Sequence, residues 1–277
     1  MHGLNLAEAG AMNAVLADIL TSQQVSDGTR SFPLRHPDFP GSPVAVDPAE
    51  GAWLQRIVAD LGPTRSLEIG CAYGVSSLYI CEALARADGT ARAASAEASV
   101  QQPQHIVIDP FQSTQWHGIG LKNIRDAGFG SLVDFREERS EIVLPGLLDG
   151  GVAVDFAFVD GWHTFDQVLV EFYYINRLLR VGGVIAFDDA NRRSINRVVR
   201  HALTYPAYRV YGTEREGAPR PTVLGRSRRA LEKVPAISGI LRPDFLQKDW
   251  DLGILGTCVA IQKVADDKRS SGWDRSF

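Results

Sequence analysis

Four short runs of the sequence are apolar almost throughout and end in glycine or an acid: RSLEIG (65–70), HIVID (105–109), VDFAFVD (154–160) and GVIAFDD (183–189). Successive side chains of a strand point to opposite faces, so an uninterrupted apolar run needs burial on both sides. Stretches with helical spacing separate the runs. In TFDQVLVEFYYINRLLRVGG, for example, Val168, Leu169, Phe172, Ile175 and Leu179 form one apolar face. Strands alternating with helices predict an α/β fold, a doubly wound and mostly parallel sheet with helices on both faces. LVDFREE, YRVYGT and GTCVAIQKV bring the expected strands to seven. Such sheets bind ligands beyond the carboxyl ends of their strands. That rule locates Gly70, Asp109, Glu138, Asp160 and Asp188 along one rim.

The remaining segments decorate this core. Residues 5–22 carry Met12, Val15, Leu16, Ile19 and Leu20 at helical spacing, and the proline-rich 27–48 reads as an extended connector. We expect 1–48 to be this helical extension and connector, 49–265 the main domain, and 266–277 a mobile tail. Residues 85–104 are mostly Ala, Ser and Gln, which suits a frayed helix end and a loop. The chain has 277 residues, ample for one sizeable core, and a net charge of −4, so no global field draws nucleic acid or an anionic membrane. No apolar run is long enough to cross a membrane, and we expect no secretory signal in the first residues. Cys71, Cys81 and Cys258 make no CxxC pair, which fits a reducing cytosol.

LEIGCAYGVSS turns a strand into a helix through Gly70 and Gly74. Glycine suits a backbone with positive φ or one approached closely by a ligand. The helix behind it offers free N–H groups and the positive end of a dipole. A tight strand–helix turn without a ligand has the same appearance. With its acid, however, LEIGCAYG resembles the first motif of the class I S-adenosylmethionine-dependent methyltransferases, which reads acid-x-Gly-x-x-x-Gly here. That resemblance implies a Rossmann-like methyltransferase fold and S-adenosylmethionine as cofactor. It assigns cofactor binding to Glu68, Gly70, Tyr73, Gly74 and Ser76 in this motif, and the ribose hydroxyls to Asp109. The adenine then falls near Glu138, Arg139 and Ser140, with Glu138 and Ser140 as the cofactor contacts and Asp160 as a further one.

Asp160, Asp188 and Asp189 admit three readings: helix caps, cofactor contacts, or ligands of one hard divalent cation. VDGWH…LLRVGGVIAFDDAN resembles the metal-dependent small-molecule O-methyltransferases of the catechol-like and macrolide- or aminocoumarin-sugar types. There an acid after the fourth strand and an acid pair after the fifth hold one ion. Carried over, Asp160, Asp188 and Asp189 are the metal ligands, with Mg²⁺ as the expected ion. His163 stands where the catechol-like enzymes have a lysine base, so His163 or Asp160 is the expected catalytic base. The implied reaction is O-methylation of a hydroxyl on a small molecule such as a sugar, phenol or natural product. A metal-independent methyltransferase and a non-catalytic S-adenosylmethionine-binding domain stay open as alternatives.

Residues 213–252 hold five arginines, at 215, 220, 226, 228 and 229, in a long segment between the last two strands. They form a surface insertion, or a lid or dimer element over the acceptor; a homodimer therefore remains open. Phe32, His36 and Phe39 in the connector make a second candidate cover.

Overall fold

The computed structural model describes residues 12–36, 43–94, 104–214 and 248–273. Phe39, the Ala/Ser-rich residues 95–103, all five arginines of the late segment and residues 274–277 lie outside them. Seven strands hydrogen-bond into one mostly parallel sheet in the order β5-β4-β3-β6-β7-β9-β8. By its internal contacts the chain divides into two compact units, 1–62 with 71–137, and 63–70 with 138–277.

The first unit begins with α1 (Ala14–Ser22), capped by the Asn13 side chain, which accepts from Val15 N–H. The expected extended connector instead opens with a hairpin, β1 (Gln24–Ser26) and β2 (Ser31–Pro33). Asp27 and Gly28 make its turn. The Asp27 carboxylate accepts from the Thr29 hydroxyl at 2.7 Å and from the backbone N–H groups of Thr29 and Arg30 at 2.7 and 2.8 Å, which together hold it well below the usual carboxylate range. Helix α2 (Pro48–Leu61) starts on a capping box between Asp47 and Glu50, with Pro48 in its first turn, and stops at left-handed Gly62. Gly51 on α2 lies against the Tyr79 ring of α3 (Val75–Ala94), where any side chain would collide. Helix α3 runs on to Ala94, so the helix end expected in the Ala/Ser/Gln-rich stretch is there. Strand β4 (Gln104–Ile108) pairs in parallel with β5 (Val133–Arg136), and α4 (Ile119–Asp126) connects them.

The second unit contains β3 (Arg65–Ile69), α5 (Ser140–Asp149), β6 (Val154–Val159), α6 (Phe165–Leu178), β7 (Leu179–Phe187), α7 (Arg193–Leu203), β8 (Tyr208–Thr213) and β9 (Val259–Lys263). Strands β3, β6 and β7 run parallel; β9 lies antiparallel to β7 and β8. Phe156, Phe158, Ile185 and Phe187 are fully buried, as the apolar runs require. At the amino ends of β3 and β6, Asp155 accepts from the backbone N–H groups of Thr64 and Arg65 and from Arg180. Helix α6 passes directly into β7. There the buried Lys263 ammonium donates to the carbonyls of Asn176 and Leu179 at 2.7 and 2.8 Å, satisfying acceptors that a helix end leaves open.

Candidate functional site

The register of the second unit brings two carboxylates together. Val159 of β6 pairs with Phe187 of β7, so the next residues on each strand, Asp160 and Asp188, are neighbours across a gap of about 4.8 Å. Backbone bonds extend the ladder one step: Asp160 N–H donates to Ile69 O at 2.9 Å and Asp188 N–H to Val159 O at 3.1 Å. His163 follows Asp160 by three residues, just before α6. Its carbonyl accepts from Ser194 Oγ at 2.7 Å, which ties this turn to the start of α7. One oxygen each of Asp160 and Asp188 and one ring nitrogen of His163 lie within 4.8 Å of one another.

Asp189 is placed differently. Its backbone is left-handed, with φ of 52°. Its carboxylate meets Arg192 Nε at 2.6 Å and lies 3.3 Å from His163 Nε2. The neighbouring charges act on Asp188. Burial first, then the carboxylates of Asp160 and Asp189, push its pKa from 3.8 up to about 8. Burial lowers the His163 pKa, against the opposing pull of Asp189. The Nε2 atom of His163 is buried and has no hydrogen-bond partner among the described residues; its separation from Asp160 is 3.5 Å. Cys258 Sγ donates to Asp188 Oδ1 at 3.5 Å from the start of β9.

Deeper in the same unit, Glu171 on α6 is almost wholly buried. Its Oε1 accepts from Ser140 Oγ at 2.7 Å, Oε2 has no partner among the described residues, and burial raises its pKa to about 7.

In the first unit, the loop Cys71–Gly74 is built on internal bonds. Ala72 and Gly74 take positive φ, 45° and 80°, and Gly74 N–H donates to Cys71 O at 2.6 Å. Asp109, at the end of β4, braces the loop from below. Its Oδ2 accepts from Cys71 N–H at 3.0 Å, Ala72 N–H at 2.8 Å and Gln112 Nε2 at 3.2 Å, and its Oδ1 accepts from Phe111 N–H at 2.8 Å. Gln112 Nε2 also donates to Ala72 O at 2.6 Å, and Asn123 Nδ2 to Tyr73 O at 3.0 Å. The buried Tyr73 ring sits edge-on to Trp116, which meets His36 in the same way.

The family model described as a methyltransferase domain matches residues 67–190. Residues 67–190 are thus similar to methyltransferase domains. Over 149 residues it is 32% identical to tricin synthase 2 of Oryza sativa subsp. japonica, covering 51% of this chain and 43% of that protein. Over 143 residues it is 29% identical to caffeoyl-CoA O-methyltransferase 2 of Zea mays, covering 50% of this chain and 47% of that protein. The chain thus spans under half the length of these curated relatives. An O-methyltransferase from Bacillus cereus in complex with SAH superposes with a TM-score of 0.55 at 18% identity, over 74% of this chain and 85% of that one. TomG from Streptomyces achromogenes, an O-methyltransferase in complex with SAM, gives 0.53 at 18% identity, over 74% and 83%. At this identity the structural likeness concerns the fold.

Within the matched region the residues expected from the motifs fall into two sets. Asp160, His163, Asp188 and Asp189 gather in the second unit. Tyr73, Gly74, Ser76 and Asp109 belong to the loop region of the first. Glu68 is fully buried in β3, opposite Phe158. Gly70 has φ of 92°, and a Cβ there would run into the Asp160 carbonyl, so backbone packing alone demands glycine. Ser140 gives its hydroxyl to Glu171, while Glu138 is exposed and accepts from Arg139 N–H at 2.9 Å. The sequence reading missed Gln112, Glu171, Arg192 and Cys258. Only Arg192 left a signal, as a base three residues after Asp189 in DDANRR.

Proposed function

We infer that this methyltransferase domain moves a methyl group from S-adenosylmethionine to a hydroxyl oxygen of a small molecule, and that a divalent cation assists. The reading is carried by one observation: Asp160 and Asp188 stand side by side on adjacent strand ends, with the orphaned, buried Nε2 of His163 beside them. Carboxylates this close repel unless protonated or neutralised; burial first, and then the neighbouring carboxylates, raise the Asp188 pKa. Two carboxylate oxygens and an imidazole nitrogen are also a suitable donor set for a divalent ion. When bound, such a cation supplies positive charge that makes a hydroxyl easier to deprotonate.

The cofactor assignment rests on the preformed loop. Its left-handed residues and its brace on Asp109 fix backbone N–H groups before any ligand arrives, so little reorganisation accompanies binding. Gln112 Oε1 is buried without a donor among the described residues, which suits a ligand rich in amino and hydroxyl groups. S-adenosylmethionine, when bound, supplies the activated methyl, so the protein's own task is to orient the acceptor and receive its proton. Asp160 and His163 are the candidate bases; burial disfavours the charged imidazole, and the neutral form is the one that accepts a proton. The names of the relatives, tricin synthase and caffeoyl-CoA O-methyltransferase, favour oxygen as the methyl acceptor and hydroxylated small molecules as substrates. Three free, buried cysteines fit a reducing compartment such as the cytosol. Among the described residues no helix is long and apolar enough to cross a membrane.

The test is transfer of labelled methyl from S-adenosylmethionine to hydroxylated small molecules, with and without a chelator. Transfer that the chelator stops and Mg²⁺ or Mn²⁺ restores supports the whole reading. Transfer unaffected by chelation keeps the methyltransferase and removes the cation.

A further inference from the structure

We propose that His163, and not Asp189, is the third protein ligand of the cation, so that the site presents two oxygens and one nitrogen. This rests on the metal reading above and deepens it. Buried polar atoms almost always have a partner, and His163 Nε2 has none among the described residues. Two ligand atoms that each lie about 2.0–2.2 Å from one ion are no more than about 4.4 Å apart. The chosen atoms of Asp160, His163 and Asp188 already lie within 4.8 Å of one another, so side-chain movements of a few tenths of an ångström close the set. The backbone that carries the imidazole is held in place by Ser194 Oγ on the His163 carbonyl.

Asp189 is committed elsewhere. Its carboxylate is paired with Arg192 at 2.6 Å, and Arg192 N–H closes the turn on its carbonyl at 2.7 Å. Recruiting Asp189 would break that pair. Leaving it in place keeps its negative charge close to the cation, 3.3 Å from Nε2, while the ligand atoms come from Asp160, His163 and Asp188. A nitrogen donor also shifts metal choice. Mg²⁺ favours oxygen, whereas imidazole suits first-row transition ions, so the site prefers Mn²⁺, Fe²⁺ or Co²⁺ to Mg²⁺. A ligating Nε2 cannot take a proton, which assigns the base role to a carboxylate.

The experiment uses the full chain loaded with Mn²⁺. Pulsed electron paramagnetic resonance on the wild type should show the nitrogen modulation of a directly bound imidazole. Calorimetry should find Mn²⁺ affinity reduced more than about 100-fold in His163→Ala and by about 10–100-fold at most in Asp189→Asn, which removes only an outer neighbour. Asparagine tolerates the left-handed backbone there, so that variant keeps its fold. Mn²⁺ bound without nitrogen modulation, or affinity lost in Asp189→Asn and kept in His163→Ala, overturns the proposal and leaves the metal reading standing. A wild type that binds no Mn²⁺ overturns both. The spectrum is read on the wild type, so a poorly folding variant does not remove the test.

Discussion

The braced loop of the first unit and the acidic cluster of the second are both built from strand ends and carboxylates, yet they are in opposite states. Asp109 is saturated: its two oxygens accept four hydrogen bonds, all from its own surroundings. Asp188 is in conflict: it is half-buried beside two other carboxylates and displaced far from its ordinary pKa. A satisfied carboxylate holds backbone in place. An unsatisfied one waits for a cation or a proton. The same residue type therefore serves scaffold in one region and chemistry in the other, and the surrounding donors decide which.

The largest effect should come from the cluster. Asp188→Ala should lower methyl transfer by about 10²–10⁴-fold, the scale of several kcal/mol of lost charge stabilisation. Its thermal stability without metal should hold or rise, because a repelling charge is gone. A marked loss of stability instead would make Asp188 a structural residue like Asp109.

Asp109→Ala should behave in the contrary way. It leaves the N–H groups of Cys71, Ala72 and Phe111 unpaired, at about 1–3 kcal/mol for each one that stays buried. Melting temperature and cofactor affinity should fall together. A fall in affinity at constant stability, seen by calorimetry beside thermal melts, would mean that the carboxylate serves the ligand more than the loop. The same logic applies to Gly70→Val. It should unfold or strongly destabilise the domain, since the obstacle is the Asp160 backbone.

A smaller effect concerns pH. Asp188 is raised from 3.8 to about 8 and Glu171 from 4.5 to about 7, so the metal-free folded state binds more protons than the unfolded chain between those limits. Its stability should then decline as pH rises from about 4 to 8. Saturating cation or Asp188→Asn should flatten the decline, and denaturant titrations across that range would measure it. A flat profile in the metal-free wild type would mean that the cluster is not in conflict. Gln112→Ala should be mildest, costing the loop about 1 kcal/mol.

The sheet was legible because two-sided burial leaves a long trace in composition: runs such as VDFAFV and GVIAF admit few other readings. The two compact units follow contacts distant in sequence, which no local pattern announces. Helix α5 was not foreseen. Its SEIVLPGLLD carries Pro145 and Gly146 mid-helix, both poor helix formers, yet α5 packs along α6 and that burial outweighs propensity. The hairpin β1–β2 was overlooked although Asp27–Gly28 is a turn signal, because the following prolines dominated the stretch. At the site, Asp160 and Asp188 could be read because each ends its own strand. The commitment of Asp189 to Arg192 could not, since it depends on a left-handed backbone and on where α7 begins.

Glu214 has a consequence beyond local bonding. Its carboxylate accepts from Thr257 N–H at 2.6 Å and Cys258 N–H at 2.9 Å, while buried Arg200 reaches Asp249 at 3.0 Å. The chain leaving β8 and the chain returning to β9 are thus riveted to the sheet on their own. The Glu214 carboxylate that fixes the end of β8 thereby also fixes Cys258, and with it the thiol that faces Asp188, so one acid at the rim of the sheet holds a neighbour of the acidic cluster in register.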